Sequence, residues 1–183
     1  MSNIKNAASV EIQQPFGTLH DVRIGLSKQT RTYSAQALNR LLAHSMALSD
    51  LYRKAHWQTS GADFYALHLM FDKHYQRQLE LIDALAERVQ LLGGVALATA
   101  QDVVQESRIA RVSRGAQLPT QQLRGLLDAH EFLLNEARPL ARAATEHGDD
   151  GTNDIIVSDL IRTNELQVWF VSEHLAGNDG GTP

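Results

Sequence analysis

The chain has 183 residues, enough for one domain with a sizeable core, and its 43% hydrophobic and 21% charged content is that of a globular protein. It has no cysteine, which excludes disulfides and thiolate metal sites, and its net charge of −4 argues against a surface built throughout to neutralise phosphate. No signal-peptide pattern opens the chain and no run of about 18 apolar residues crosses a membrane, so the cytoplasm is the expected location.

Residues 1–33 hold no sustained helical period and are broken by Pro15 and Gly17. They read as a partly ordered arm in which Lys5, Arg23, Lys28 and Arg31 are offset by Glu11 and Asp21. A first helix is expected from Ser34, its N-cap, to Thr59, with Leu38, Leu41, Leu42, Leu48, Leu51 and Tyr52 at helical spacing. After a break around Gly61, a second helix runs from Asp63 to Leu92 and is stopped by Gly93-Gly94. At about 1.5 Å per residue it is about 45 Å long, a length typical of bundles. Residues 95–118 form a long connection with room for a short helix at 99–109. A third helix follows Pro119, from Thr120 to His147, with Pro139 expected to kink it. A fourth runs from Thr152 to Ala176, and the Gly-rich tail 177–183 does not fold. The fold class is therefore all-α: residues 34–176 form a four-helix bundle with a short helix in the connection between helices 2 and 3. Such a long crossover is the connectivity of ferritin-like folds.

One block carries chemistry. With His68 at zero and about 100° per residue, Asp72 falls at about +40°, Asp83 at about +60° and Glu87 at about +100°. A histidine and three carboxylates on one face are costly to bury without a compensating cation. Asp72 and Asp83 are eleven residues apart, about 16 Å along one helix, too far for one metal with ligands at about 2.0–2.2 Å. An antiparallel copy of the helix, related by a two-fold axis near residues 77–78, brings His68 and Asp72 of one chain beside Asp83 and Glu87 of the other. His56, at the end of the preceding helix, is turned back toward the site at Gly61. Two imidazoles and three carboxylates suit Fe(II), Mn(II) or Zn(II). Spacing alone leaves a solvated helix face as the competing reading.

The residues HWQTSGADFYALHLMFD and, further on, IDALAERVQLLGG resemble the Dps family of mini-ferritins. The family pattern H-W-x-x-x-G-x-x-F-x-x-x-H-x-x-x-D, then D-x-x-x-E-R, is matched at His56, Trp57, Gly61, Phe64, His68, Asp72, Asp83, Glu87 and Arg88. NELQVWFVSEHL (164–175) is similar to the family's closing segment. The resemblance implies a hollow homo-oligomeric shell of twelve chains. It implies ferroxidase sites between subunits, with His56, His68 and Asp72 from one chain and Asp83 and Glu87 from its partner. The implied reaction is oxidation of Fe(II), preferentially by hydrogen peroxide, with a ferric mineral stored inside. Trp57 is implied beside the site, as packing or as a quencher of stray radicals. Larger ferritins place their site inside one bundle with Glu-x-x-His motifs, and this chain has none.

The remaining candidates divide as follows. His74, at about 240° on the same wheel, is expected at the surface. His44 and His130 have no acidic partner at ligand spacing, and His20, His147 and His174 are expected to be exposed. Asp149, Asp150 and Asp154 open the fourth helix, where they suit its dipole; Asp150 and Asp154 are also candidates for lining an acidic three-fold pore. The family's DNA-compacting members carry Lys-rich tails. Here the C-terminal tail has Asp179 and no cation, so DNA binding is expected to be weak or absent. Two alternatives stay open: a nucleoid-compacting shell, and a shell whose sites hold zinc.

Overall fold

The computed structural model describes residues 11–176, so residues 1–10 of the arm and the tail 177–183 lie outside the described residues. The described part is all-helical. α1 is Lys28–Gln58, α2 Phe64–Leu91, α3 Ala100–Glu106 and α4 Pro119–Glu146. The last bundle helix is continuous but changes pitch: α5 (Asp150–Asp154), a π-helical stretch (Ile155–Ile161) and α6 (Arg162–Glu173). No helix among the described residues is long and apolar enough to cross a membrane.

α1 begins seven residues earlier than its apolar pattern suggested. The cap is Ser27, whose Oγ accepts from the Thr30 N–H at 3.0 Å, and Ser34 is wholly buried inside the helix. The first turn escapes the hydrophobic period because its buried positions are polar: Arg31, 4% exposed, donates to the carbonyls of His20 and Leu92 at 2.9 and 3.0 Å. Those bonds hold the described part of the arm against the end of α2, where the His20 N–H and Gln14 Nε2 both donate to the Gly93 carbonyl at 2.9 Å.

Asp63 occupies the cap position of α2 without a side-chain cap bond. α3 is closed by a reciprocal cap between Thr99 and Asp102. Pro119 is the first residue of α4, where its missing N–H costs nothing. Pro139 lies within α4, which continues through it as one element; its ring is on the exposed side. The core is a leucine-rich seam from all four bundle helices, including Leu38, Leu41, Leu48, Leu85, Leu126, Leu133 and Leu160.

Candidate metal centre

His56 sits in the last turn of α1 and His68 in the second turn of α2. The five-residue turn between them passes through Gly61, whose φ of 96° is left-handed and suits a residue without Cβ. It folds the imidazoles face to face, centroids 3.9 Å apart and planes 22° off parallel. Each Nδ1 lies 3.0 Å from the other residue's backbone carbonyl. A carbonyl only accepts, so both Nδ1 atoms carry a proton, and in the neutral ring Nε2 is the nitrogen that presents the lone pair. A backbone carbonyl holding Nδ1–H is how a protein fixes a metal-binding imidazole. Phe64 stacks on the other side of His68 at 5.1 Å.

Asp72 is one turn beyond His68, half-buried, on the wall of an open groove between α2 and α6 that Leu69, Leu166 and Phe170 also line. Asp83 and Glu87 are exposed near the other end of the same helix. The structure thus brings His56 and His68 together and leaves Asp83 and Glu87 apart from them. Among the described residues no three His, Asp or Glu side chains converge on one point. The donors fit a hard divalent cation: two imidazole nitrogens and carboxylates, with no soft ligand.

The buried stripe of α2 is Leu67, Phe71, His74, Gln78, Leu81, Leu85 and Val89, centred about 150° from the middle of the ligand arc. The ligand arc itself carries Tyr65, Leu69 and Leu79, which are 74%, 48% and 38% exposed. Large apolar side chains thus lie exposed along the face that also holds the histidine and the carboxylates. Trp57 is also largely exposed, with the Arg53 guanidinium 5.5 Å from its ring centroid.

The ferritin-like domain profile matches residues 35–178. The fold superposes on DpsC from Streptomyces coelicolor with a TM-score of 0.90 and 48% identity, over 94% of this chain and 98% of that one. It superposes on the Dps protein from Vibrio cholerae O1, described as a ferritin-like diiron-carboxylate protein, with a TM-score of 0.78 and 31% identity over 83% and 94% of the two chains. A nutrient stress-induced DNA-binding protein from Nostoc is 30% identical over 89% of this chain and 88% of its own length.

This chain belongs to the Dps family.

The placement of buried polar and histidine side chains in this Dps chain departs from the sequence reading at some points and adds to it at others. His74 is not at the surface. It is 6% exposed, because at that angle α2 faces its own bundle, and burial lowers its pKa to about 4. Around it lies a polar cluster that the sequence reading did not assemble: Tyr52, Gln78, His130, Asn164 and Gln167. The available signal was a set of polar residues at core positions of otherwise apolar stripes, as in Leu67–Phe71–His74–Gln78–Leu81. Finally, Asp149 is buried at 1% exposure and caps α5 through its bond from the Thr152 N–H. Burial alone would raise its carboxyl, but the Ser34 hydroxyl, the Thr152 bonds and the Arg88 charge together outweigh that and hold it below the ordinary range. Asp150 and Asp154 are exposed just beyond, and Asp154 accepts from Ser158 at 2.7 Å. His20 and His147 are exposed, whereas His174 is half-buried.

Proposed function

We propose that this Dps chain oxidises Fe(II), preferentially with hydrogen peroxide, at dinuclear sites shared between paired chains, and stores the ferric product in a hollow shell of twelve subunits. Iron is substrate and cargo here. His56, His68 and Asp72 of one chain and Asp83 and Glu87 of its partner would hold it, with Asp150 and Asp154 lining the acidic entry. Consuming Fe(II) and peroxide together removes both sources of hydroxyl radical, a role suited to the cytoplasm.

The observation that carries this reading is the reciprocal pairing of His56 and His68, which aims two fixed Nε2 lone pairs away from their own backbone. The exposed apolar residues among the ligands support a partner helix as the missing half. The protein contributes fixed donors; bound iron supplies the electrons. The test is Fe(II) oxidation by the Asp83→Ala, Glu87→Ala double variant, with assembly checked by size. Near-background rates are expected, and unchanged kinetics would remove the proposal. Crystals soaked separately with iron and zinc, measured at both absorption edges, decide between iron and zinc as occupant.

A second reading, duplex DNA binding by the shell, gains one observation. Arg108, Arg111 and Arg114 are all exposed along the α3–α4 connection, while Ile109 and Val112 between them turn inward. No acidic residue occurs between Ser107 and Leu127. Plasmid retardation at low salt tests it. Binding through the arm is lost on deleting residues 1–30. Binding through the arginines instead loses about one unit of salt slope per substituted residue.

A further inference from the structure

The middle of the bundle holds a buried polar cluster that iron binding does not use. Tyr52 of α1, His74 and Gln78 of α2, His130 of α4, and Asn164 and Gln167 of α6 meet there, none more than 6% exposed. Their partners fix the protons. Asn164 Nδ2 donates to the Leu160 carbonyl at 2.7 Å, which turns its Oδ1 toward His130 and Gln78. That oxygen only accepts, so His130 carries its proton on Nδ1, 2.9 Å away. The bare Nε2 of His130 then accepts the Tyr52 hydroxyl at 2.5 Å, and the Tyr52 oxygen accepts from His74 Nδ1 at 3.2 Å.

A phenol held this way resists ionisation yet can lose an electron. Burial raises the Tyr52 pKa well above its ordinary value, so no phenolate forms. Removing an electron makes the phenol strongly acidic, and a lone pair already on its proton takes that proton without solvent. Tyr52 also lies one turn before His56, about 6 Å along α1.

We propose that Tyr52 is an internal electron donor to one-electron oxidants generated at the iron site, with His130 as its proton acceptor. The proposal rests on the ferroxidase reading above. When a site holds a single Fe(II), peroxide is reduced by one electron, giving Fe(III), hydroxide and a hydroxyl radical. Tyr52 supplies the second electron: the radical becomes hydroxide, Tyr52 becomes a neutral tyrosyl radical, and the phenolic proton moves from Oη to His130 Nε2. A later Fe(II) resets the pair: it gives one electron to the tyrosyl radical, His130 returns the proton, and Fe(III) is left. The sum is two Fe(II) per peroxide with no radical released.

The experiment is freeze-quenched electron paramagnetic resonance on the assembled protein in a Trp57→Phe, Tyr65→Phe, Trp169→Phe background, so that the exposed rings do not compete. One arm receives less than one Fe(II) per site and then hydrogen peroxide. The other is metal-free and is oxidised by a photogenerated ruthenium(III) polypyridyl complex. Both arms should give a tyrosyl signal that Tyr52→Phe abolishes and His130→Gln shifts in g1, and spin-trapped hydroxyl radical should rise severalfold in Tyr52→Phe. His130→Gln keeps an acceptor for the phenol and serves as the second variant if Tyr52→Phe assembles poorly. No Tyr52 signal in the metal-free arm, or a signal that survives Tyr52→Phe, overturns the proposal. A Tyr52 radical in the metal-free arm from a protein that oxidises no iron would instead overturn the ferroxidase reading, so the two failures are distinguishable.

Discussion

Arg88 Nη2 lies 2.5 Å from Asp149 Oδ1, tying the end of the ligand-bearing helix to the cap of the helix that carries Asp150 and Asp154. The guanidinium also donates from Nε to Thr152 Oγ1 at 3.1 Å and packs against Gly151 so closely that a Cβ there would meet it at 2.9 Å. Arg88→Ala would leave Asp149 charged, 1% exposed and without its cation. Breaking one side of such a buried pair costs about 3–5 kcal/mol. Thermal unfolding should therefore fall sharply in Arg88→Ala, and adding Asp149→Asn should recover part of the loss. A double variant as unstable as the sum of the two singles would mean that the pair is not coupled.

The buried histidines predict acid lability with a definite sign. His74 and His130 are held neutral by burial, at about 4 and about 3, whereas an unfolded histidine titrates at about 6.5. The unfolded state therefore binds more protons below about pH 6.5, and stability is lost as pH falls from there toward the folded values. Each histidine contributes a slope of about 1.4 kcal/mol per pH unit within that window. Denaturant unfolding between pH 7 and 4.5 should show His130→Gln with a shallower fall than the parent by one proton's worth. Parallel curves would refute the assignment.

Gly93 gives a local prediction. Its φ of 84° is left-handed, and a Cβ there would lie 2.5 Å from the His20 carbonyl oxygen. Gly93→Ala adds strain of about 1–3 kcal/mol and pushes away the arm that bonds to the Gly93 carbonyl. Limited proteolysis should cut between residues 11 and 27 faster in the variant, at temperatures where the bundle remains folded. Equal cleavage would show that the arm is held elsewhere.

Much of this was legible in the sequence, for different reasons at different places. The helices were readable because Leu38, Leu41, Leu48 and their counterparts keep a 3.6-residue period, and Gly93-Gly94 punctuates the end of α2. The earlier start of α1 was not, because Thr30 and Arg31 are buried by hydrogen bonding and carry no apolar signal. The π stretch at Ile155–Ile161 has no marker either, since IIVSDLI reads as ordinary helix. At the site, wheel angles grouped His68, Asp72, Asp83 and Glu87. They could not say which side of α2 faces its own bundle, and so His74 was misplaced. The Nδ1 bonds of His56 and His68 depend on the turn at Gly61 and needed coordinates.

A shared site makes a prediction that an intrachain site cannot. His68→Ala alone and Glu87→Ala alone should each oxidise Fe(II) near background, because every site in either homo-oligomer lacks one ligand. In a paired dimer of one chain of each kind, one site carries both lesions and the other carries neither. Random co-assembly makes about half of the dimers mixed, so about a quarter of all sites are restored in a two-fold pair. Unfolding the two variants together and reassembling them should bring back Fe(II) oxidation to about that fraction of the parent, while mixing already assembled shells should bring back none. Failure of the co-assembled material to recover, with mixed subunits verified by mass, would place the ligands within one chain and remove the dimer interface from the mechanism.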